Sequence, residues 1–244
     1  MKNLKSTKPK KKMGKIVVLT GAGISAESGI KTFRDAGGLW EGYRIEDVAT
    51  PEAWHRQPQV VLDFYNERRK QLLGVEPNKA HHALRDLEAE HEVVIVTQNV
   101  DDLHERAGSK NIIHLHGELL KVRSTVNDRL VYEWRKDLLP SDRCEEGSQL
   151  RPHIVWFGEM VPMLEKAIDE VIQADIVIIV GSSMQVYPAA GLVGYAPADA
   201  VIYYVDPNPQ INYEMRMRPG LEIINKTAVE GVPLLVKRLL KTQL

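Results

Sequence analysis

One cysteine, Cys144, stands in 244 residues. That excludes an intramolecular disulfide and any zinc site built on a pair of thiolates. Long apolar runs are also missing. The strongest, Ile176–Gly181 (IVIIVG), is far shorter than the roughly 18 to 20 residues a membrane span needs, and no secretory leader is read at the start of the chain. A cytoplasmic protein with no membrane partner is expected. Acids are absent from residues 1–15, which carry seven lysines, so the remainder sets 25 Lys+Arg against 33 Asp+Glu, formally −8. Residues 1–14 read as a basic, disordered, solvated tail, with Met13 a second candidate start. The acidic body offers no basic footprint, so nucleic acid is not an expected partner. With 43% apolar and 27% charged residues, the chain suits one large globular domain plus a smaller appendage.

Short apolar runs alternate with helical patterns. Residues 15–20, 92–98, 111–116, 153–157, 175–181, 200–205 and 221–225 read as strands. Helices are expected in NKAHHALRDLEAEH with Asn78 as N-cap, in DDLHERAG closing on Gly108, in PMLEKAIDEVIQA and in VEGVPLLVKRLLKT. Strands apolar throughout, alternating with helices, imply a parallel sheet covered on both faces: a doubly wound, Rossmann-like α/β fold. Residues 36–75, a helical excursion, and 119–151, polar and turn-rich, break the alternation and read as a small inserted domain. The nucleotide-binding domain would then comprise 15–35, 76–118 and 152–244.

Gly21-x-Gly23-x-x-Ala26 follows the first strand, as in a loop that brings backbone N–H groups against a pyrophosphate. The second strand and its ribose-binding acid do not follow; KTFRDAGGLW stands there instead. Asp206, after AVIYYV, sits at a strand tip where it could accept from a ribose diol, or merely start a turn with Pro207 and Pro209. Other tips carry Gly181-Ser182-Ser183, the group Gln98, Asn99, Asp101 and Asp102, and His116-Gly117. Together they describe one crevice. Taken singly, His114 and His116 read as hydrogen-bonded core histidines, His81 and His82 as solvated, and Arg34 with Asp35 as an exposed ion pair.

GAGISAESGIKTFRD, TQNVDDLHERAG, HLHGELLKVR, RPHIVWFGE and GSSMQVYPAAG, in this order, resemble the motif set of the sirtuins, NAD-dependent protein-lysine deacylases. The resemblance covers about Lys15 to Leu240. It implies NAD as cofactor, held by Gly21, Ala22, Gly23, Glu27, Thr32, Phe33, Arg34, Trp40, Gln98, Asn99, Asp101, Gly181, Ser182, Ser183, Asp206, Asn208 and Ala228. KTFRDAGGLW would be a mobile loop that closes over it. His116 would be the general base for a ribose hydroxyl, with Asn99 and Asp101 at the nicotinamide and Gln98 at the ribose. The implied products are nicotinamide, free lysine and O-acyl-ADP-ribose. Asp206 departs from the family's common asparagine and Ser183 from a threonine; both keep hydrogen-bonding capacity.

Sirtuins usually hold zinc with two cysteine pairs in the second insertion, and one thiol cannot do so. No metal is expected, and Leu130, Val131, Tyr132 and Trp134 are expected to hold the insertion by packing. In QVVLDFYNERRKQLLG, Val61, Tyr65, Arg68 and Leu72 form one helical stripe, with Asp63, Arg69 and Lys70 elsewhere. An arginine on an apolar stripe is paired with an internal acid such as Glu46 or Asp47, or awaits an anion. Tyr-x-x-Arg here is similar to the sirtuin branch that removes succinyl, malonyl or glutaryl groups, which assigns Tyr65 and Arg68 to the substrate and leaves room for acetyl. The acyl-lysine peptide would bind as an extended strand between WFGE and the MQVYP loop. Two other uses of the same residues are an NAD-dependent ADP-ribosyltransferase and a non-catalytic NAD or ADP-ribose binding module. A monomer is expected.

Overall fold

Six parallel strands build the main sheet: β1 (Lys15–Thr20), β4 (Glu92–Thr97), β5 (Ile112–His114), β9 (Ile176–Val180), β10 (Val201–Val205) and β11 (Leu221–Ile224). Their order is β11-β10-β9-β1-β4-β5, so the winding reverses between β1 and β9. The computed structural model describes residues 14–31, 39–40 and 42–241, without the side chains of 39 and 40. The basic tail, Thr32, Phe33, Arg34 and the Trp40 side chain therefore lie outside the described residues.

The alternation of side chains along a strand divides the core in two. Val17, Leu19, Val94, Val96, Val177 and Ile179 pack on one face, under α6 (Leu164–Val171) and a 3-10 helix at Ala189–Tyr195. Ile16, Val18, Ile95, Ile176, Ile178 and Val180 pack on the other, under α4 (Lys79–Asp86) and α8 (Ala228–Leu239). Asn78 caps α4 by accepting from Ala80 N, and Gly108, in the left-handed region, ends α5 (Leu103–Ala107). Between β10 and β11, α7 (Tyr213–Arg216) is a single turn.

Beside this layer lies a second core. A hairpin of β2 (Leu39–Trp40) and β3 (Tyr43–Arg44) leads into α1 (Ile45–Val48), α2 (Pro51–Arg56) and α3 (Pro58–Leu73). An antiparallel sheet, β7-β6-β8, contains β6 (Gly117–Ser124), β7 (Val131–Glu133) and β8 (Leu150–Ile154). The reading of 153–157 as a strand of the parallel sheet is thereby corrected: the strand is shifted to 150–154 and pairs antiparallel with β6. Its Pro152 is tolerated at the edge of this three-stranded sheet. Residues 119–124, at the start of the segment 119–151 read as polar and turn-rich, belong instead to the strand β6, whose buried and half-buried residues are interleaved.

Two buried side chains overturn simple periodicity. Arg69 is 1% exposed, not off the apolar face; it donates to Leu119 O (3.2 Å) and Asn66 Oδ1 (2.7 Å). Asn66 in turn brackets Leu138, donating to its carbonyl (3.0 Å) and accepting its N–H (2.8 Å). These bonds tie α3 to the second insertion. His81, expected to be solvated, is fully buried; its ring meets that of His104 at 4.9 Å between centroids and joins Asn78 in a capping box. His82 is exposed.

In the second insertion, Leu130, Tyr132 and Trp134 pack on Leu62, Val122, Leu138, Cys144 and Leu150, whereas Val131 faces solvent. Ser124 Oγ lies 2.7 Å from Ser148 Oγ, and Cys144 Sγ 3.0 Å from the same atom. Val126 N and Asn127 N donate to Ser124 Oγ. A hydrogen-bonded knot thus closes the segment where the sirtuin resemblance would put thiolates.

Candidate active site

The tips of β1 and β9 touch through glycine. Gly21 N donates to Val180 O (3.0 Å) and Gly23 N to Gly181 O (2.8 Å). A Cβ on Gly23 would lie 2.6 Å from Gly181 Cα, and Gly181 has φ +60°. The glycines are therefore required by the approach of two backbones as well as by any phosphate. Two single 3-10 turns, Ala22–Ile24 and Ala26–Ser28, follow in place of a long helix.

The loop after β4 closes over this cradle. Asn99 Nδ2 donates to Gly21 O (3.1 Å) and Ser25 Oγ (3.3 Å), and Ser25 Oγ donates to Asp101 Oδ2 (2.9 Å). Leu103 N donates to Asp101 Oδ1, yet burial outweighs these bonds and pushes the carboxyl up to about 6. Gln98 Nε2 reaches Ser182 Oγ at 3.0 Å, while Ser183 is half-buried beyond it. Ser25, 1% exposed, was not among the residues singled out from sequence. Its place inside the glycine motif was the available signal.

His116 lies in the turn just past β5, not on the strand, and its Nδ1 is 3.0 Å from Gln98 O. A carbonyl only accepts, so Nδ1 carries the proton and Nε2 keeps its lone pair. Burial holds the ring's pKa below the ordinary histidine value. Gly117, φ +83°, fixes the turn: a Cβ there would lie 2.0 Å from His153 O. His114 sits apart, with Nδ1 on Asn99 O and Nε2 2.7 Å from Glu105.

At β10, Asp206 is 1% exposed and accepts from Asn208 N (2.8 Å), with Asn208 itself exposed. Tyr204 donates from its hydroxyl to Ser182 O, joining this tip to that of β9. Glu27 accepts from Val229 N (3.1 Å), tying the glycine loop to the start of α8, where Ala228 is buried. The strand tips of β1, β4, β5, β9 and β10 thus form one crevice at the reversal of the sheet, where open α/β sheets take their ligands.

A cleft of about 440 Å³ of empty space, open to solvent, adjoins Asp101 and is walled by Ile30, Tyr65, Arg68, Val100 and Leu119, among others. Arg68 is not paired with Glu46 or Asp47, which meet Arg44 and Arg56. One of its nitrogens, Nη2, reaches the exposed Glu67 (3.1 Å), and its Cζ lies 4.6 Å from the Phe64 ring centroid. Nε and Nη1 are buried without a hydrogen-bond partner among the described residues. Tyr65, 1% exposed, accepts from Trp156 Nε1 at 3.0 Å.

Among the described residues, Glu105, His114 and Glu118 are grouped closely enough to hold a metal ion, but protein already engages them: His114 bonds Glu105, and Lys121 sits 2.8 Å from Glu118. A four-thiolate zinc site cannot be assembled from one cysteine.

The fold and the crevice define a nucleotide-binding α/β protein. The description "Sir2 family" belongs to the family model that matches residues 21–188, and the chain belongs to that family. It is 56% identical over 229 residues to an NAD-dependent protein deacylase of Helicobacter pylori, covering 94% of this chain and 97% of that one. A similarly named deacylase of Bacteroides thetaiotaomicron is 52% identical over 227 residues, covering 90% and 95%. Among solved structures, a Sir2 homologue in complex with ADP-ribose matches at a TM-score of 0.84 and 40% identity, covering 93% of this chain and 92% of that one. A Sir2 complex with a p53 peptide and NAD+ matches at 0.75 and 30% identity, covering 93% and 92%.

Proposed function

We propose that this chain is an NAD-dependent protein-lysine deacylase that prefers acyl groups ending in a carboxylate, such as succinyl and malonyl, and also accepts acetyl. The observation that carries the substrate preference is Arg68: two of its nitrogens are buried without partners among the described residues, at the wall of a cleft that also contains Asp101. Buried polar groups are normally satisfied, and a guanidinium matches a carboxylate in shape and charge. Tyr65, one turn earlier on α3, brings a hydroxyl to the same wall.

The glycine cradle of Gly21, Gly23 and Gly181, together with Gln98, Ser182, Ser183, Asp206 and Asn208, would hold NAD. When bound, NAD supplies an anomeric carbon whose bond to nicotinamide can be exchanged for one to the acyl oxygen. Asn99 and Asp101 border the nicotinamide, with Ser25 fixing both side chains. His116 accepts the ribose hydroxyl proton at Nε2, the nitrogen left unprotonated by the bond to Gln98 O. Arg68 and Tyr65 hold the distal end of the acyl chain, and the peptide lies extended beside WFGE. The segments 36–75 and 119–151 act together as one small domain over the cleft, joined through Asn66 and Arg69.

The test is a set of initial rates, with NAD, on matched acetyl-lysine and succinyl-lysine peptides, for the wild type and Arg68→Met. Succinyl turnover is expected to lead, and Arg68→Met to lower it about 30-fold or more while acetyl falls far less, since a lost charge-assisted pair costs about 2–5 kcal/mol. Equal losses on both peptides, or acetyl preference in the wild type, would overturn the acidic-acyl reading. Nicotinamide release that does not depend on the acyl-peptide would instead favour ADP-ribosyl transfer.

A further inference from the structure

The Tyr65 oxygen receives the indole N–H of Trp156 at 3.0 Å, and an indole nitrogen can only donate. That bond orients the tyrosine hydroxyl with respect to the cleft. Trp156 is 2% exposed and is not part of the cleft wall, so it reaches the acyl site only through Tyr65. It is also held more firmly than packing alone requires. Its backbone N–H donates to Glu159 Oε2 (2.8 Å), and the guanidinium carbon of Arg151 lies 3.3 Å from its ring centroid. Arg151 is fixed in turn by two bonds to Glu159 (2.6 and 3.1 Å) and one to Ile154 O (3.1 Å). Arg123 adds a further contact to Glu159 at 3.4 Å. The Trp54 ring lies against Trp156 from α2, 5.8 Å away between centroids.

A carboxylate with this many donors, placed to clamp one indole whose single donor meets one hydroxyl, is a chain of orientation. We infer that Trp156, clamped by Arg151 and Glu159, is a positioning residue that fixes the Tyr65 hydroxyl and thereby sets the discrimination between acidic and neutral acyl groups. The inference rests on the acidic-acyl reading above. It adds a residue whose main chain belongs to the WFGE segment beside the peptide, but whose buried indole stands behind the acyl site, and a route by which that indole acts. The mechanism predicts an effect on binding, since the indole acts through the Tyr65 hydroxyl, while the nearest tie to His116 is the backbone bond from Val155 N to His116 O (2.9 Å), which a side-chain change at 156 leaves in place.

Trp156→Phe removes the N–H and keeps an aromatic ring under Arg151. The expected result is a succinyl-to-acetyl selectivity lower by about fivefold to tenfold, carried by KM for the succinyl peptide, which is what one lost hydrogen bond is worth. Trp156→Phe combined with Tyr65→Phe should lose no more selectivity than Tyr65→Phe alone, because the indole acts through the hydroxyl. Arg151→Lys keeps the charge beside Glu159 and loses the planar stack. It should shift selectivity in the same direction, and it serves as the second variant if Trp156→Phe folds poorly. Losses that multiply in the double variant, or equal losses on both peptides carried by kcat, would overturn the inference and leave Trp156 a packing residue. Failure of the underlying reading looks different: the wild type itself would show no Arg68-dependent preference for succinyl.

Discussion

His116 donates its Nδ1 proton to the carbonyl oxygen of Gln98 across 3.0 Å, and so the residue just past β4 selects the tautomer of this histidine. Because burial lowers the ring's pKa, Nε2 stays unprotonated to a pH below the ordinary histidine value of about 6.5. The acid limb of kcat/KM is expected on the low side of that value, with activity lost as pH falls through it. His116→Asn, which has no base, should lower deacylation by about 10²–10⁴-fold without changing the melting profile. A limb well above 6.5 would show that another group titrates.

The glycine cradle makes a separate prediction. Gly23→Ala would place a methyl 2.6 Å from Gly181 Cα and 2.8 Å from Gly181 O, both backbone atoms of a neighbouring strand tip. Neither can yield without moving β9. A loss of about 1–3 kcal/mol or more in urea unfolding is expected, together with loss of NAD binding. Loss of NAD binding with unchanged stability would mean that the glycine serves the phosphates alone.

The parallel sheet was legible because its strands are buried on both faces, so residues 16–19 and Ile176–Val180 are apolar without alternation. The same reasoning failed where burial and polarity part company. Periodicity marks a helix face by apolar residues, and Arg69 and His81 are buried polar residues bonded to partners distant in sequence or within a local cap. The strand 117–124 was hidden because its alternate residues, Glu118, Lys121 and Arg123, are charged and only half-buried while Leu119, Leu120 and Val122 are buried. His116 and Arg68 were singled out through motif resemblance. Ser25 and Trp156 were not singled out, since their importance lies in bonds to Asp101 and Tyr65 that span 76 and 91 residues.

The small domain should be stable without metal. Its ties are the bonds of Asn66 to both backbone groups of Leu138, the Arg69 bonds, and the Ser124, Ser148 and Cys144 knot. Chelators are expected to leave activity and melting temperature unchanged. Asn66→Ala strands Leu138 N, Leu138 O and Arg69 Nη1 at once, and a loss of about 3 kcal/mol in urea unfolding is expected at roughly 1 kcal/mol per bond. Inactivation by a chelator, reversed by added zinc, would contradict this account.

Two buried groups titrate in opposition, and their variants should separate them. Asp101 is pushed up to about 6 from an ordinary carboxyl value near 3.8, so between those limits the native state holds the extra proton and stability falls as pH rises. His81 is pushed down to about 4 from 6.5, chiefly by burial, so the unfolded chain holds the extra proton and stability rises with pH over nearly the same range. Each shift corresponds to on the order of 3 kcal/mol, and in the wild type they offset. Asp101→Asn removes the first and should make stability climb between pH 4.5 and 7 more steeply than in the wild type. His81→Gln removes the second while keeping a side chain that can complete the Asn78 capping box, and its stability should climb less steeply than the wild type over that interval, since burial also holds His104, His116 and His153 below the ordinary value and each adds an upward slope. Urea midpoints at pH 4.5 and 7 for the three proteins decide the matter: a slope unchanged from the wild type in either variant would show that its group does not carry the linkage assigned to it.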